Sequence, residues 1–105
     1  MRTTTLLFGA ALVAAALPAF GQSPDPNAAR NLAATCANCH GTGGASAGET
    51  ASLAGMGKDE MVGKLQDFKT GKKPATIMHQ LAKGYTDAQI EQLAGWFAAQ
   101  KPAAK

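Results

Sequence analysis

Cys36-Ala37-Asn38-Cys39-His40 is the stretch on which the reading of this 105-residue chain turns. Two thiols three positions apart are followed at once by an imidazole, the C-x-x-C-H pattern of c-type haem attachment. The spacing suits the chemistry. Two sulfurs add to the two vinyl groups on one edge of a porphyrin, and the next residue turns beneath the ring, where a neutral imidazole nitrogen meets the iron. Cys36 and Cys39 are therefore the expected thioether residues, and His40 the expected axial ligand. A single motif implies one covalent haem c and electron transfer, with no catalytic residue expected.

A C-x-x-C pair also occurs in zinc sites and in dithiol oxidoreductases. A zinc site needs about four ligands, and beyond the two cysteines the chain offers only His40 and His79. A dithiol pair starts a helix in an α/β pattern, and no convincing buried strand precedes Cys36. Haem attachment is the reading left standing.

Upstream, Arg2 precedes an apolar run from Leu6 to Leu17, and Ala19-Phe20-Gly21 presents small residues where a signal peptidase reads. The run is too short to span a bilayer. An uncleaved anchor is the alternative, but Pro18 closes the run. Residues 1–21 are expected to be a signal peptide and residues 22–105 the mature domain, exported to the bacterial periplasm with no membrane span. Export agrees with attachment of haem c outside the cytoplasm.

The mature chain keeps nine basic and seven acidic residues, a net charge of +2 before two haem propionates are counted. That balance does not suggest nucleic acid binding. Such a short chain, rich in alanine, builds a thin core. A covalently held haem supplies the missing apolar mass, and without it little stable structure is expected.

Downstream periodicity predicts an all-α fold. Asp25 before Pro26 marks a helix start, and Ala28, Ala29, Leu32, Ala33 and Cys36 lie at helical spacing. Gly41 to Gly57 reads as loop, with Leu53 placed to cap the haem edge. Met61, Val62, Leu65 and Phe68 define a helix over Lys58–Lys69, ended by Gly71. Pro74 opens a connecting segment that carries Met78. Thr86 and Gln89 form a capping box for a last helix whose buried face is Ile90, Leu93, Trp96 and Phe97.

For the sixth iron ligand, Met1 leaves with the leader, and Met56 and Met61 have ordinary explanations as loop and core residues. Met78 stands late enough in the chain to reach the face opposite His40 and is the expected ligand. His79 could only replace it. A His/Met pair raises the reduction potential, as suits an electron acceptor. It also argues against an open iron site for peroxide or ligand chemistry.

The layout resembles that of class I cytochromes c: C-A-N-C-H near the start, a late methionine and a closing L-A-G-W-F helix. That resemblance implies a crossing of first and last helices at Ala28 and Trp96, where the family usually has glycine and an aromatic. Ser52 to Gly55 is similar to the family's haem-edge loop, with Ala51 at a position where proline is common. The resemblance also implies that a backbone carbonyl there orients the haem histidine.

A narrower resemblance covers nearly all of the mature chain. Leu32 to Thr42 and Pro74 to Glu91 are similar to the single-haem cytochrome subunit of flavocytochrome c sulfide dehydrogenase. This implies a partner flavoprotein carrying FAD, which oxidises sulfide and passes electrons to the haem subunit. The alternative is a free soluble monohaem carrier between respiratory complexes, exchanging electrons with other redox proteins or cytochromes. Ala45, Ala47, Leu53, Met56 and Ile77 are candidates for an apolar docking patch, and Lys69, Lys72, Lys73 and Lys83 for a basic rim.

Overall fold

The structure is a computed structural model that describes residues 25–102. The expected leader, residues 1–21, lies outside the described residues. Among those described, the elements are helices: α1 (Ala28–Ala34), α2 (Ala37–His40), a 3₁₀ turn (Thr42–Gly44), α3 (Lys58–Lys69), α4 (Met78–Lys83) and α5 (Asp87–Ala98). The all-α expectation is met. No helix of the described residues is long and apolar enough to cross a membrane.

The first helix starts later and ends earlier than its periodicity suggests. Asp25 Oδ1 accepts the Asn27 N–H at 2.8 Å, so Asp25 and Pro26 make a turn and the helix begins at Ala28. It closes at Thr35, where the Cys36 N–H bonds back three residues to Ala33 at 3.1 Å. This tighter bond breaks the α-helical series and starts a separate single turn, α2.

The core is thin. Buried apolar residues are Ala33, Ala54, Met61, Ala82, Ile90, Leu93, Ala94 and Phe97, half of them alanine. Helices α1 and α5 pack together, and α3 packs on both α4 and α5. On α5 the buried stripe is Ile90, Leu93, Ala94 and Phe97, the i, i+3, i+4, i+7 series of one helical face. Trp96 was expected on that stripe, but it lies at its edge and is half-buried, as is Ala28. The buried contact group instead joins Ala33 of α1 to Ala94 and Phe97. Trp96 packs edge-on against Phe97, with ring centroids 5.0 Å apart.

Local signals set the longer helices. Thr86 accepts the Gln89 N–H at 3.1 Å, and the Gln89 side chain accepts the Thr86 N–H at 2.9 Å, forming the capping box expected for α5. Helix α3 occupies its expected span, with Asp59 and Glu60 in its first turn and Lys69 in its last, as the helix dipole favours. Lys69 Nζ reaches across to the Tyr85 carbonyl at 2.7 Å and to Asp87 at 3.1 Å, while Gln66 donates to the same carboxylate at 2.9 Å. Those hydrogen bonds, from Gln66 first, hold the Asp87 carboxyl below the usual carboxylate range.

The long loop is fastened from both ends. The Gly44 carbonyl accepts N–H groups from Leu53 at 2.8 Å and Ala54 at 3.1 Å, and the Gly55 N–H donates to the Phe97 carbonyl at 2.9 Å. Gly44 has φ of +77°, and a Cβ there would stand 2.8 Å from two atoms of the buried Phe97 ring. Gly44→Ala is therefore expected to destabilise the haem-loaded protein by about 2 to 4 kcal/mol, combining left-handed strain with overpacking. Phe97→Ala should cost about 3 to 5 kcal/mol, with Trp96→Ala the milder change. Denaturant unfolding of the three variants checks the order, and a larger loss for Trp96→Ala would reverse this assignment of the core.

Candidate functional site

Positions i, i+3 and i+4 share one face of a helical turn, so α2 turns Cys36, Cys39 and His40 toward one side. All three line a cavity of about 640 Å³, in the range of pockets that enclose a small-molecule cofactor. Gly41 ends this turn at φ of +83°, where a Cβ would run into the Ala45 carbonyl oxygen. The chain can leave His40 in this direction only because that side chain is missing.

His40 is oriented from behind. Its Nδ1 lies 2.6 Å from the Ala51 carbonyl oxygen; the carbonyl can only accept, so Nδ1 carries the proton and Nε2 is the ring nitrogen with a lone pair to offer. Alanine supplies the acceptor where proline is common in the resembled family, because the interaction uses backbone alone.

The remaining wall comes chiefly from the long loop and the three later helices. Leu53 and Met56 contribute from the loop, Met61, Leu65 and Phe68 from α3, Met78 and Leu81 from α4, and Leu93 and Phe97 from α5. Leu53 thus lies on the cavity, as expected for a residue that caps a haem edge. Met78 also lies on it, half-buried, but as the first residue of a helix rather than in a plain connecting segment. The hint of α4 was in the sequence: Ile77 and Leu81, and Met78 and Ala82, are spaced four apart. Six residues are too few to hold a helix by propensity alone, and packing of α4 on α3 stabilises it.

Met56 and Met61 share the cavity with Met78. Met61 is a core residue, 3% exposed, as its place on the α3 stripe implies, but it also presents to the cavity. Three thioethers thus surround a space that His40 enters from α2. His79, next to Met78, is not on the cavity wall; its Nδ1 is buried without a hydrogen-bond partner among the described residues.

The expected docking patch and basic rim are only partly realised. Ile77 is 55% exposed and Leu81 47%, and both border the cavity. Of the expected rim, Lys69 is paired with Asp87, and Lys72 with Asp67 at 3.7 Å. Lys73 and Lys83 are exposed. Burial pushes the Cys36 thiol up, opposed by a hydrogen bond involving Thr35. The folded cavity therefore favours the neutral thiol.

These residues fit a covalently attached haem. The cavity is predominantly apolar, has two thiols on its wall, offers an imidazole already fixed in its iron-binding tautomer and carries thioether sulfur.

Known proteins point the same way. A model of the cytochrome c family matches residues 27–100. The chain is 39% identical over 66 residues to the cytochrome subunit of sulfide dehydrogenase of Chlorobaculum tepidum, covering 63% of this chain and 60% of that protein. It is 33% identical over 88 residues to cytochrome c4 of Azotobacter vinelandii, covering 74% and 42%. It is 35% identical over 69 residues to the thiosulfate dehydrogenase electron acceptor of Thiomonas intermedia, covering 62% and 32%. The chain therefore spans less than two thirds of the length of these relatives.

Substitution separates the three thioethers. In the haem-loaded protein, Met78→Ala should abolish the thioether-to-iron charge-transfer band at the red end of the ferric spectrum, while Met61→Leu and Met56→Leu keep it. Survival of the band in Met78→Ala would pass the ligand role to another residue.

Proposed function

The chain belongs to the cytochrome c family and works as an electron-transfer protein rather than an enzyme, and on that premise we propose that it is the periplasmic haem subunit receiving electrons from the flavoprotein subunit of a sulfide dehydrogenase. Cys36 and Cys39 hold haem c by thioether bonds, and His40 and Met78 bind its iron. When bound, the haem supplies one-electron chemistry between ferric and ferrous iron.

This chain's residues set the conditions for that chemistry. The Ala51 carbonyl fixes the His40 ring and raises the basicity of its free nitrogen. Leu53, Leu65, Phe68, Leu93 and Phe97 keep water from the cofactor, so its charge change takes place in a low dielectric with few groups to reorganise. A thioether from Met78 favours the reduced metal over a second nitrogen ligand and raises the potential. Ile77 and Leu81, exposed on the cavity margin, offer a partner an apolar landing beside the cofactor.

The single observation that carries the subunit reading is the similarity to a sulfide dehydrogenase cytochrome subunit, and the resemblance of the Ile77-Met78-His79-Gln80 and Lys83-Gly84-Tyr85 segments to that family supports it. A free carrier is the second reading, favoured by the similarity to a protein that serves thiosulfate dehydrogenase as electron acceptor. The apolar run and small residues of the expected leader, residues 1–21, support export of either one to the periplasm.

Gel filtration of the native periplasmic fraction distinguishes the two, with haem and flavin absorbance recorded together and sulfide then added. Co-elution of haem with flavin and sulfide-dependent haem reduction are expected. A haem peak alone at the mass of the single leader-free chain, unreactive to sulfide but exchanging electrons with other cytochromes, would replace the subunit reading with the free carrier. Absence of the chain from that fraction would overturn the periplasmic assignment.

A further inference from the structure

We propose that Lys73 is the counter-ion of a haem propionate, an inference that rests on the haem assignment above. Haem c brings two carboxylates with it, on the edge of the macrocycle away from the thioether carbons. A carboxylate at an apolar cavity is costly unless a cation or hydrogen-bond donors meet it. The chain must answer for that charge.

The titratable side chains on the cavity wall are Cys36 and Cys39 with His40 from the α2 turn, Lys64 from α3, Lys73 from the segment after it and Tyr85 before α5. Two of these are lysines, and they differ in what they already hold. Lys64 Nζ lies 2.7 Å from Glu60 Oε1, one turn back on the same helix. Lys73 has no carboxylate partner among the described residues, whereas Lys58, Lys69 and Lys72 pair with Glu91, Asp87 and Asp67.

Lys73 is nevertheless held in place. Its backbone N–H donates to the Asp67 carbonyl at 3.0 Å, and its ammonium stands 5.3 Å from the centre of the Phe68 ring. That ring itself lines the cavity. The cation–π contact keeps the charge over the cavity margin without neutralising it. An unneutralised cation positioned at an apolar cavity is complementary to the carboxylates that the haem carries. Tyr85 and Thr35, with their hydroxyls 3.3 Å apart on the same wall, can donate hydrogen bonds to a carboxylate but bring no positive charge to it.

Three purified haem-loaded variants test the assignment: Lys73→Gln, Lys73→Arg and, as a control with the same charge loss, Lys72→Gln. The midpoint potential is followed against pH, and proton NMR of the ferrous protein looks for a contact between the Lys73 side chain and a propionate methylene. A paired propionate ionises at lower pH, so removing its cation moves the propionate step in the potential curve to higher pH. Lys73→Gln is expected to move that step up by about one pH unit or more, Lys72→Gln to leave it in place, and Lys73→Arg to restore it. The NMR contact is expected in the unsubstituted protein. Superimposable curves for Lys73→Gln and Lys72→Gln, with no such contact, would overturn the proposal; slower reaction with a redox partner as the sole effect would make Lys73 a docking cation instead. Purification of the unsubstituted protein without covalent haem would overturn the haem assignment and this inference together, whereas haem present with unmoved curves overturns only this one.

Discussion

A core half made of alanine cannot close on itself, and that shortage of apolar volume shapes the rest of the domain. The side chains with real bulk, among them Met61, Leu93 and Phe97, stand between the helix packing and the cavity and serve both. Removing water from the cavity walls is therefore inseparable from filling the cavity. A rigid apolar cofactor held by the cysteine sulfurs would supply what a small chain otherwise lacks, since surface-to-volume scaling leaves short domains with little burial of their own.

Two long-range ties keep the walls of that cavity apart and aligned. On one side His40 bonds to the Ala51 carbonyl, joining α2 to the loop before α3. On the other, Lys69 and Gln66 reach the segment that starts α5, through Tyr85 and Asp87. The first tie also chooses a tautomer, so a packing contact becomes a chemical property of the site. The cavity stays close to solvent where Cys39, Ile77 and Leu81 are at once wall and surface. A redox cofactor held there is shielded enough to limit reorganisation and near enough to the surface for another protein to approach.

Family membership and physiological partner rest on different kinds of support. The family match runs over residues 27–100, the whole helical domain. The chain spans less than two thirds of the length of the relatives with named roles. Electron transfer follows from the family match. The choice between a flavoprotein-bound subunit and a free carrier depends on a surface that the core residues do not dictate.

Local features were legible in the sequence because they depend on spacing along the chain. The i, i+3, i+4 placement of Cys36, Cys39 and His40 put them on one face of a turn, the Thr86 and Gln89 pair capped α5, and the stripe Met61, Leu65, Phe68 gave α3 with its bounds. Period alone could not rank Trp96 against Ala94 at the stripe's edge, and it passed over α4, whose six residues are held by a neighbouring helix. Only the tertiary structure brought Met56, Met61 and Met78 to one cavity, gave the Ala51 carbonyl its short bond to His40, which the resemblance alone had implied, and left Lys73 without a carboxylate partner among the described residues while Lys69 and Lys72 found theirs. Those outcomes are decided through space, between residues many positions apart whose approach depends on how whole helices pack, and no local pattern encodes that distance.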